Sequence, residues 1–327
     1  MADRDSSSAF RGFLRRFQDN QVLMALLMAA VLYLVGGIFT VQFFSLGNIG
    51  SLISLTVILG FAGAGQTLVV SSGGGIDLSV GAVMSLGAII AAQTMRDADA
   101  GTLLSIALIV GMGFAAGLFN AVGVILTRVP ALVMTMATAN VVAAVQWIYS
   151  GGFPTGHPGP LVKFIGTARI LPFLPYLAFV GVAMVLLIEF GLNRTVYGKQ
   201  MFAVGNNLQA AYLSGVRAKL VQGAAFVLAG VLNALAGFWF AAFNVYTAVG
   251  SCNIYVMPSI AALVIGGTSM NGGKGSYVGT MVGALVLTLL GSLLVLMQTD
   301  EAGRQIAYGL VLIAVLAAYN REPKIRL

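Results

Sequence analysis

Long apolar runs separated by short polar punctuation set the pattern of this chain. About ten such runs occur, near residues 21–41, 50–71, 77–95, 102–127, 130–150, 171–191, 220–241, 256–268, 277–297 and 303–319. Most approach the roughly twenty residues a helix needs to cross a bilayer core. Lipid offers the backbone no hydrogen-bond partner, so runs of this kind predict helices that satisfy their own peptide groups. The pattern predicts an all-α polytopic membrane protein of about ten transmembrane helices. It divides the chain into a tail at 1–20, a transmembrane domain at 21–319 and a second tail at 320–327.

Two segments break the pattern. Gly73-Gly74-Gly75-Ile76-Asp77-Leu78-Ser79-Val80-Gly81 lies between two apolar runs. Three consecutive glycines interrupt a helix, and the freed backbone groups then need partners in protein or in a water-lined cavity. A broken helix is expected near 73–81, with Asp77 and Ser79 placed to cap its restart. The functional alternative is that Asp77 meets a substrate or controls a gate, because an acid at membrane depth is costly. The second segment, Leu192 to Lys219, is the only long polar stretch between spans. It predicts a short solvent-facing helix. Asn206 or Asn207 caps its start, Leu208, Ala211 and Tyr212 share a face at i, i+3 and i+4, and Gly215 supplies the left-handed residue that ends it. A short apolar stripe of this kind suits docking to a partner.

Composition agrees with the class, since hydrophobic residues make up 59% and charged residues 8% of the chain, against roughly 25% charged in soluble domains. The distribution of cations orients it. With the N-terminus inside, thirteen of the 17 Lys and Arg fall on cytoplasmic segments, including Arg128, Arg194, Lys199, Arg217, Lys219 and Lys274, as positive-inside sorting requires. Trp147, Tyr149, Trp239, Phe240 and Phe243 then end their runs on the outer side, where interfacial rings belong. The net charge of +7 thus reflects topology and contact with anionic lipid. It does not point to nucleic acid, because no basic stripe with interleaved aromatics exists. The basic N-terminal stretch leads into a retained span and has no cleavage-type boundary.

Enzymatic chemistry lacks material. His157 is the only His and Cys252 the only Cys, and no G-x-S-x-G occurs, so no metal site of those ligands and no serine triad can be assembled. Gly272-Gly273-Lys274-Gly275-Ser276 imitates a phosphate loop, yet Thr268 stands where the first glycine belongs and Gly275 follows the Lys. The chain is therefore expected to be a non-enzyme without a cofactor of its own. If ATP and Mg drive it, another subunit must bind them. Amides and hydroxyls within the spans suit transient hydrogen bonding to a neutral polyol or sugar. Gln66, Asp77, Ser79, Asn120, Thr135, Asn140 and Asn233 are the candidates for a translocation path or gate, against a plainer role in bonding helix to helix. The segments 151–170 and 244–253 are expected as outer loops, with Cys252 open to thiol reagents there. The GxxxG spacings at Gly113–Gly117 and Gly279–Gly283 read as close helix packing.

Three ordered blocks carry a family resemblance over about residues 20 to 320. The first is Gly74-Gly75-Ile76-Asp77-Leu78-Ser79-Val80-Gly81. The second runs Asn193-Arg194-Thr195, Tyr197-Gly198, Ala203-Val204-Gly205, Asn207, Ala210-Ala211 and Ser214-Gly215-Val216. The third runs Ile260-Ala261-Ala262, Gly266-Gly267-Thr268-Ser269 and Gly272-Gly273. In these the chain resembles the permease subunits of ABC importers for sugars, of the ribose, xylose and galactose kind. The resemblance implies a multi-pass protein of the bacterial cytoplasmic (inner) membrane with both termini cytoplasmic. It implies a second permease copy or paralogue, ATP-binding subunits, a periplasmic sugar-binding protein and a monosaccharide or polyol substrate. It also implies that Gly205, Asn207, Leu208, Ala210, Ala211, Tyr212, Ser214 and Gly215 form the coupling helix that meets the ATPase. Val256, Leu132, Leu208 and Gln209 depart from the residues common in the family, and a pair of unlike permeases stays open. The rival class is a secondary transporter of a small polar solute, for which the spans hold only Asp77 and the interfacial Glu189 as acids.

Overall fold

A computed structural model describes residues 20–319, so the two predicted tails lie outside it except for Asn20. Thirteen helices occur among the described residues. In chain order they are α1 Gln21–Phe39, α2 Leu46–Ser71, α3 Val80–Met95, α4 Thr102–Ile125, α5 Ala131–Ser150, α6 Pro160–Thr167, α7 Leu177–Arg194, α8 Val196–Asn206, α9 Leu208–Leu213, α10 Ala218–Asn244, α11 Val256–Ile265, α12 Tyr277–Leu296 and α13 Glu301–Tyr319. Each of the ten predicted runs holds a helix, although the run at 171–191 opens in a hairpin and turns helical only at Leu177. Seven of these helices (α1, α2, α4, α5, α7, α10 and α12) are long and apolar enough to cross a membrane.

Two predicted spans are shorter than expected, α3 with 16 residues and α11 with 10. Their first turns meet inside the bundle: a Cβ on Gly81 would lie 2.7 Å from Val256 Cγ2 and 2.9 Å from Asn253 Cα. The segment between α10 and α11 is accordingly more than a free loop. It folds back among the helices, where Gln146 donates to the Ala82 carbonyl and accepts from the Gly250 N–H, both at 2.9 Å. The Cys252 N–H donates to Ser85 Oγ at 2.9 Å, and Cys252 is fully buried. This corrects the expectation of an accessible thiol. In the folded protein Cys252 should resist an impermeant maleimide applied from either side and react only after denaturation in SDS. Rapid labelling of the native protein would contradict the re-entrant packing.

The 151–170 stretch also holds more structure than a loop. It contains α6, begun by Pro160 in its first turn, and leads into a small antiparallel hairpin of β1 Arg169–Leu171 and β2 Leu174–Pro175. Arg169 pins that hairpin to the start of α2, donating to the Gly47 carbonyl at 2.7 Å and to Ser51 Oγ at 2.9 Å.

The centre of the bundle is α10, wrapped by α2, α3 and α4 at very close approach. A Cβ on Gly230 would come within 2.2 Å of the Gly113 carbonyl oxygen, and one on Gly237 within 1.9 Å of the Met84 carbonyl oxygen. Only residues without side chains let helix backbones touch in this way, which replaces the hydrophobic drive that lipid cannot provide. Both GxxxG pairs serve the same purpose within the chain. Gly113 and Gly117 face Gly230 and Phe226 of α10, and Gly279 and Gly283 face the Gly266 and Ala262 carbonyls at the end of α11.

Candidate functional site

At the end of α2 the glycine run acts as a helix stop. Gly73 takes φ +71, its N–H donates to the Val70 carbonyl at 2.9 Å and the Gly74 N–H donates to the Val69 carbonyl at 3.0 Å. This is the Schellman pattern, in which glycine occupies the left-handed position. Gly215 after α9 and Gly267 after α11 repeat it, with Val216 N–H on the Ala211 carbonyl and Thr268 N–H on the Leu263 carbonyl. The chain then doubles back, so that Asp77 returns to the level of Gln66, one and a half turns up α2. Gln66 clasps the Asp77 peptide from both sides, its amide donating to the Asp77 carbonyl and its Oε1 accepting the Asp77 N–H at 3.2 Å.

From this point one hydrogen-bonded network crosses four helices. Asp77 Oδ1 accepts from the Ser79 N–H at 2.8 Å and from the Ser79 hydroxyl, and Oδ2 accepts from Asn233 Nδ2 of α10 at 3.2 Å. Ser79 Oγ accepts from Asn120 Nδ2 of α4 at 3.0 Å, and Asn120 Oδ1 accepts from Thr138 of α5. Thr135 of α5 accepts the Leu78 N–H at 3.0 Å. Gln66, Asp77, Ser79, Asn120, Thr135 and Asn233 are all buried to 2% exposure or less. Asn233 Oδ1 alone has no partner in this network. Sequence reasoning placed Asp77 and Ser79 as caps on the following helix. The side chains do otherwise: Ser79 makes no capping bond to α3, and Asp77 bonds Ser79 two residues on.

Six of the seven path candidates are thus brought together, and one is not. Asn140 lies on the exposed face of α5, where its amide donates to the Met136 carbonyl one turn back at 3.0 Å. Gln146 and Ser85 were missed as site residues, and Gln222, legible as polar within a span, stood outside the path candidates. Their amides and hydroxyl secure the re-entrant segment and the glycine run, and nothing local in the sequence pairs them with partners sixty or more positions away.

The polar segment forms two helices where one was expected. Thr195 caps α8 by accepting the Gly198 N–H at 3.1 Å, and Asn207 caps α9 by accepting the Ala210 N–H at 2.9 Å. The predicted shared face of α9 is split. Leu208, Tyr212 and Leu213 are exposed at 52%, 70% and 78%, whereas Ala211 is buried at 5% against the protein's own interior. The stripe of Leu208, Ala211 and Tyr212 is corrected accordingly: Ala211 seats α9, and its neighbours project. Asn207, Ala210, Ser214 and Gly215 complete this projection, Asn207 and Gly215 as its two stops and Ser214 through a hydroxyl on the Ala210 carbonyl at 2.9 Å, whereas Gly205 lies in α8 and packs inward on the Ser71 carbonyl. Ser276 of the mimic phosphate loop caps α12, accepting the Gly279 N–H at 3.2 Å.

The family model described as branched-chain amino acid transport system, permease component, matches residues 48–316. The Autoinducer 2 import system permease protein LsrC of Escherichia coli (strain K12 / DH10B) is 31% identical over 311 residues, covering 94% of this chain and 89% of that protein. The protein of the same description from Yersinia pseudotuberculosis serotype O:1b (strain IP 31758) is 33% identical over 309 residues, covering 94% and 87%. No solved structure matches the chain. This similarity along almost the whole chain sets aside the secondary-transporter class, and the protein belongs to the transport-system permease family, as a membrane-spanning permease subunit of an ABC-type importer.

Proposed function

We propose that this permease imports a monosaccharide or related polyol across the bacterial cytoplasmic membrane. On this reading a separate ATPase subunit drives it and a periplasmic binding protein delivers the substrate. The observation that carries the coupling half is α9, a helix held at both ends by Asn207 and Gly215 that thrusts Leu208, Tyr212 and Leu213 into solvent. So short a helix has little stability of its own, and exposed apolar side chains on it fit a partner surface. The distribution of Lys and Arg supports a cytoplasmic position for this end of the bundle and for both termini. Among the described residues the polar groups at membrane depth carry no charge apart from Asp77, which supports an uncharged hydroxylated substrate. That the relatives are permeases of an autoinducer 2 import system supports a small-molecule cargo.

The buried network is read as a latch across the helix break, since its members bond one another rather than an opening. Asn140 is then the path candidate that remains, on an α5 face free to meet a second permease copy or paralogue. The test uses Tyr212→Asp, which places an unpaired charge in the proposed contact without touching a span. Co-expressed with its cognate ATPase subunit, this variant should insert at normal levels and lose the ATPase on affinity purification. The cost of several kcal/mol for an unpaired buried charge makes that loss nearly complete. Tyr212→Asp that retains the ATPase would overturn α9 as the contact.

A further inference from the structure

Three glycine turns, far apart in sequence, touch backbone to backbone beneath the helix break. The Gly273 N–H donates to the carbonyl of Ser71, the last residue of α2, at 3.0 Å. Gly205, in the last turn of α8, packs on that same carbonyl. A Cβ at Gly205 would lie 2.0 Å from Ser71 O and 2.5 Å from the Gly273 nitrogen. A Cβ on Gly73 would lie 3.3 Å from Gly205 Cα, and one on Gly272 would lie 2.9 Å from the Gly205 carbonyl oxygen and 3.1 Å from Gly73 Cα. Gln222 of α10 braces the group by donating to the Ser72 carbonyl at 3.1 Å.

We propose that Gly73, Gly205 and Gly273 form a rigid backbone joint that carries displacement of α9 to the broken helix and its Asp77 network. This rests on the reading of α9 as the ATPase contact. Side chains between moving parts absorb small displacements by changing rotamer. Here no side chain intervenes, so a shift of one segment displaces the next. The lever is short: Gly205 stands two residues before the Asn207 cap of α9, and Gly73 stands four before Asp77. Ala211 is the only buried residue of α9 itself. Its motion is therefore delivered chiefly through the end of α8 into this joint. Gly73, Gly205 and Gly273 are positioning residues, since none meets the network directly.

The experiment uses the permease–ATPase complex in lipid nanodiscs, with Mg-ATP plus vanadate as the driver and N-ethylmaleimide as the probe. Ile76→Cys reports on the break and Leu213→Cys on α9, while the buried Cys252 stays silent. Mg-ATP should change the labelling rate at Ile76→Cys. In Gly205→Ala that ATP-dependent change should fall about tenfold, within the range of known coupling energies. Protection of Leu213→Cys by the bound ATPase should persist. A normal ATP response at Ile76→Cys in Gly205→Ala overturns the joint. Loss of Leu213→Cys protection in the parent complex overturns the reading of α9 instead.

A second arm does not depend on the folding of Gly205→Ala. Gln222→Ala removes the brace on the Ser72 carbonyl without adding an atom to the joint, so the ATP response at Ile76→Cys should fall by about twofold or more while protection of Leu213→Cys persists. A response equal to that of the parent complex would mean that the segment after α2 moves without its brace, and rigid transmission would be wrong.

Discussion

Asp77→Ala is expected to destabilise the protein by several kcal/mol, whereas Asp77→Asn should leave it folded and transporting. The carboxylate is the shared acceptor for the Ser79 N–H, the Ser79 hydroxyl and Asn233 Nδ2. Alanine abandons at least two of these donors in a site closed to water, and each stranded donor costs about 1–3 kcal/mol. At about 2–4 °C per kcal/mol, the melting temperature in detergent should drop by roughly 5 °C or more. Asparagine keeps one oxygen for Ser79. Its new amide hydrogens would meet Asn233, whose Oδ1 has no partner now and can accept them after an amide flip. Differential scanning fluorimetry and transport assays on the two variants separate the readings. Asp77→Asn that folds normally but transports nothing would show that the charge itself is used, and the latch would be the wrong description.

Gly237→Val should be the most damaging single change in the bundle. The atom nearest its added Cβ, at 1.9 Å, is the Met84 carbonyl oxygen, with the Ala88 nitrogen at 2.9 Å. Overpacking a core commonly costs about 1–3 kcal/mol when side chains can yield. Backbone cannot yield in that way, so α3 would have to leave α10 and take the network with it. Membrane fractions should hold little Gly237→Val protein. Gly309 of α13 is the control, because nothing lies within 4 Å of its Cβ position. Gly309→Ala should therefore be neutral or gain up to about 1 kcal/mol from helix propensity. Equal accumulation of Gly237→Val and wild type would show that the close approach of α3 and α10 is dispensable.

The parts of the site legible in sequence were those governed by neighbouring residues. Asn207 starting α9, Gly215 ending it and the break after Ser71 depend on a few dihedrals and on side chains two or three positions away. Membership of the polar candidates in a functional cluster was legible only in part. Gln66, Asn120 and Asn233 are polar at membrane depth wherever they point, but Asn140 has the same composition and a different environment. The α9 stripe failed for a related reason. Helical spacing puts Leu208, Ala211 and Tyr212 on one side, yet a six-residue helix is too short for periodicity to tell which side faces the rest of the protein.

The sequence alone determined that the chain spans a membrane repeatedly, where its helices run and where one of them breaks. Lipid makes self-satisfied helices obligatory for apolar runs, and glycine makes their interruption local. Tertiary structure decided what met what. Asp77 and Asn233 are 156 positions apart, and Cys252 and Ser85 are 167; no period or cap encodes such pairings. They follow from how closely backbones pack where side chains are missing. The same glycines that the sequence showed as scattered punctuation become, in space, the contacts of α10 and the joint below the break.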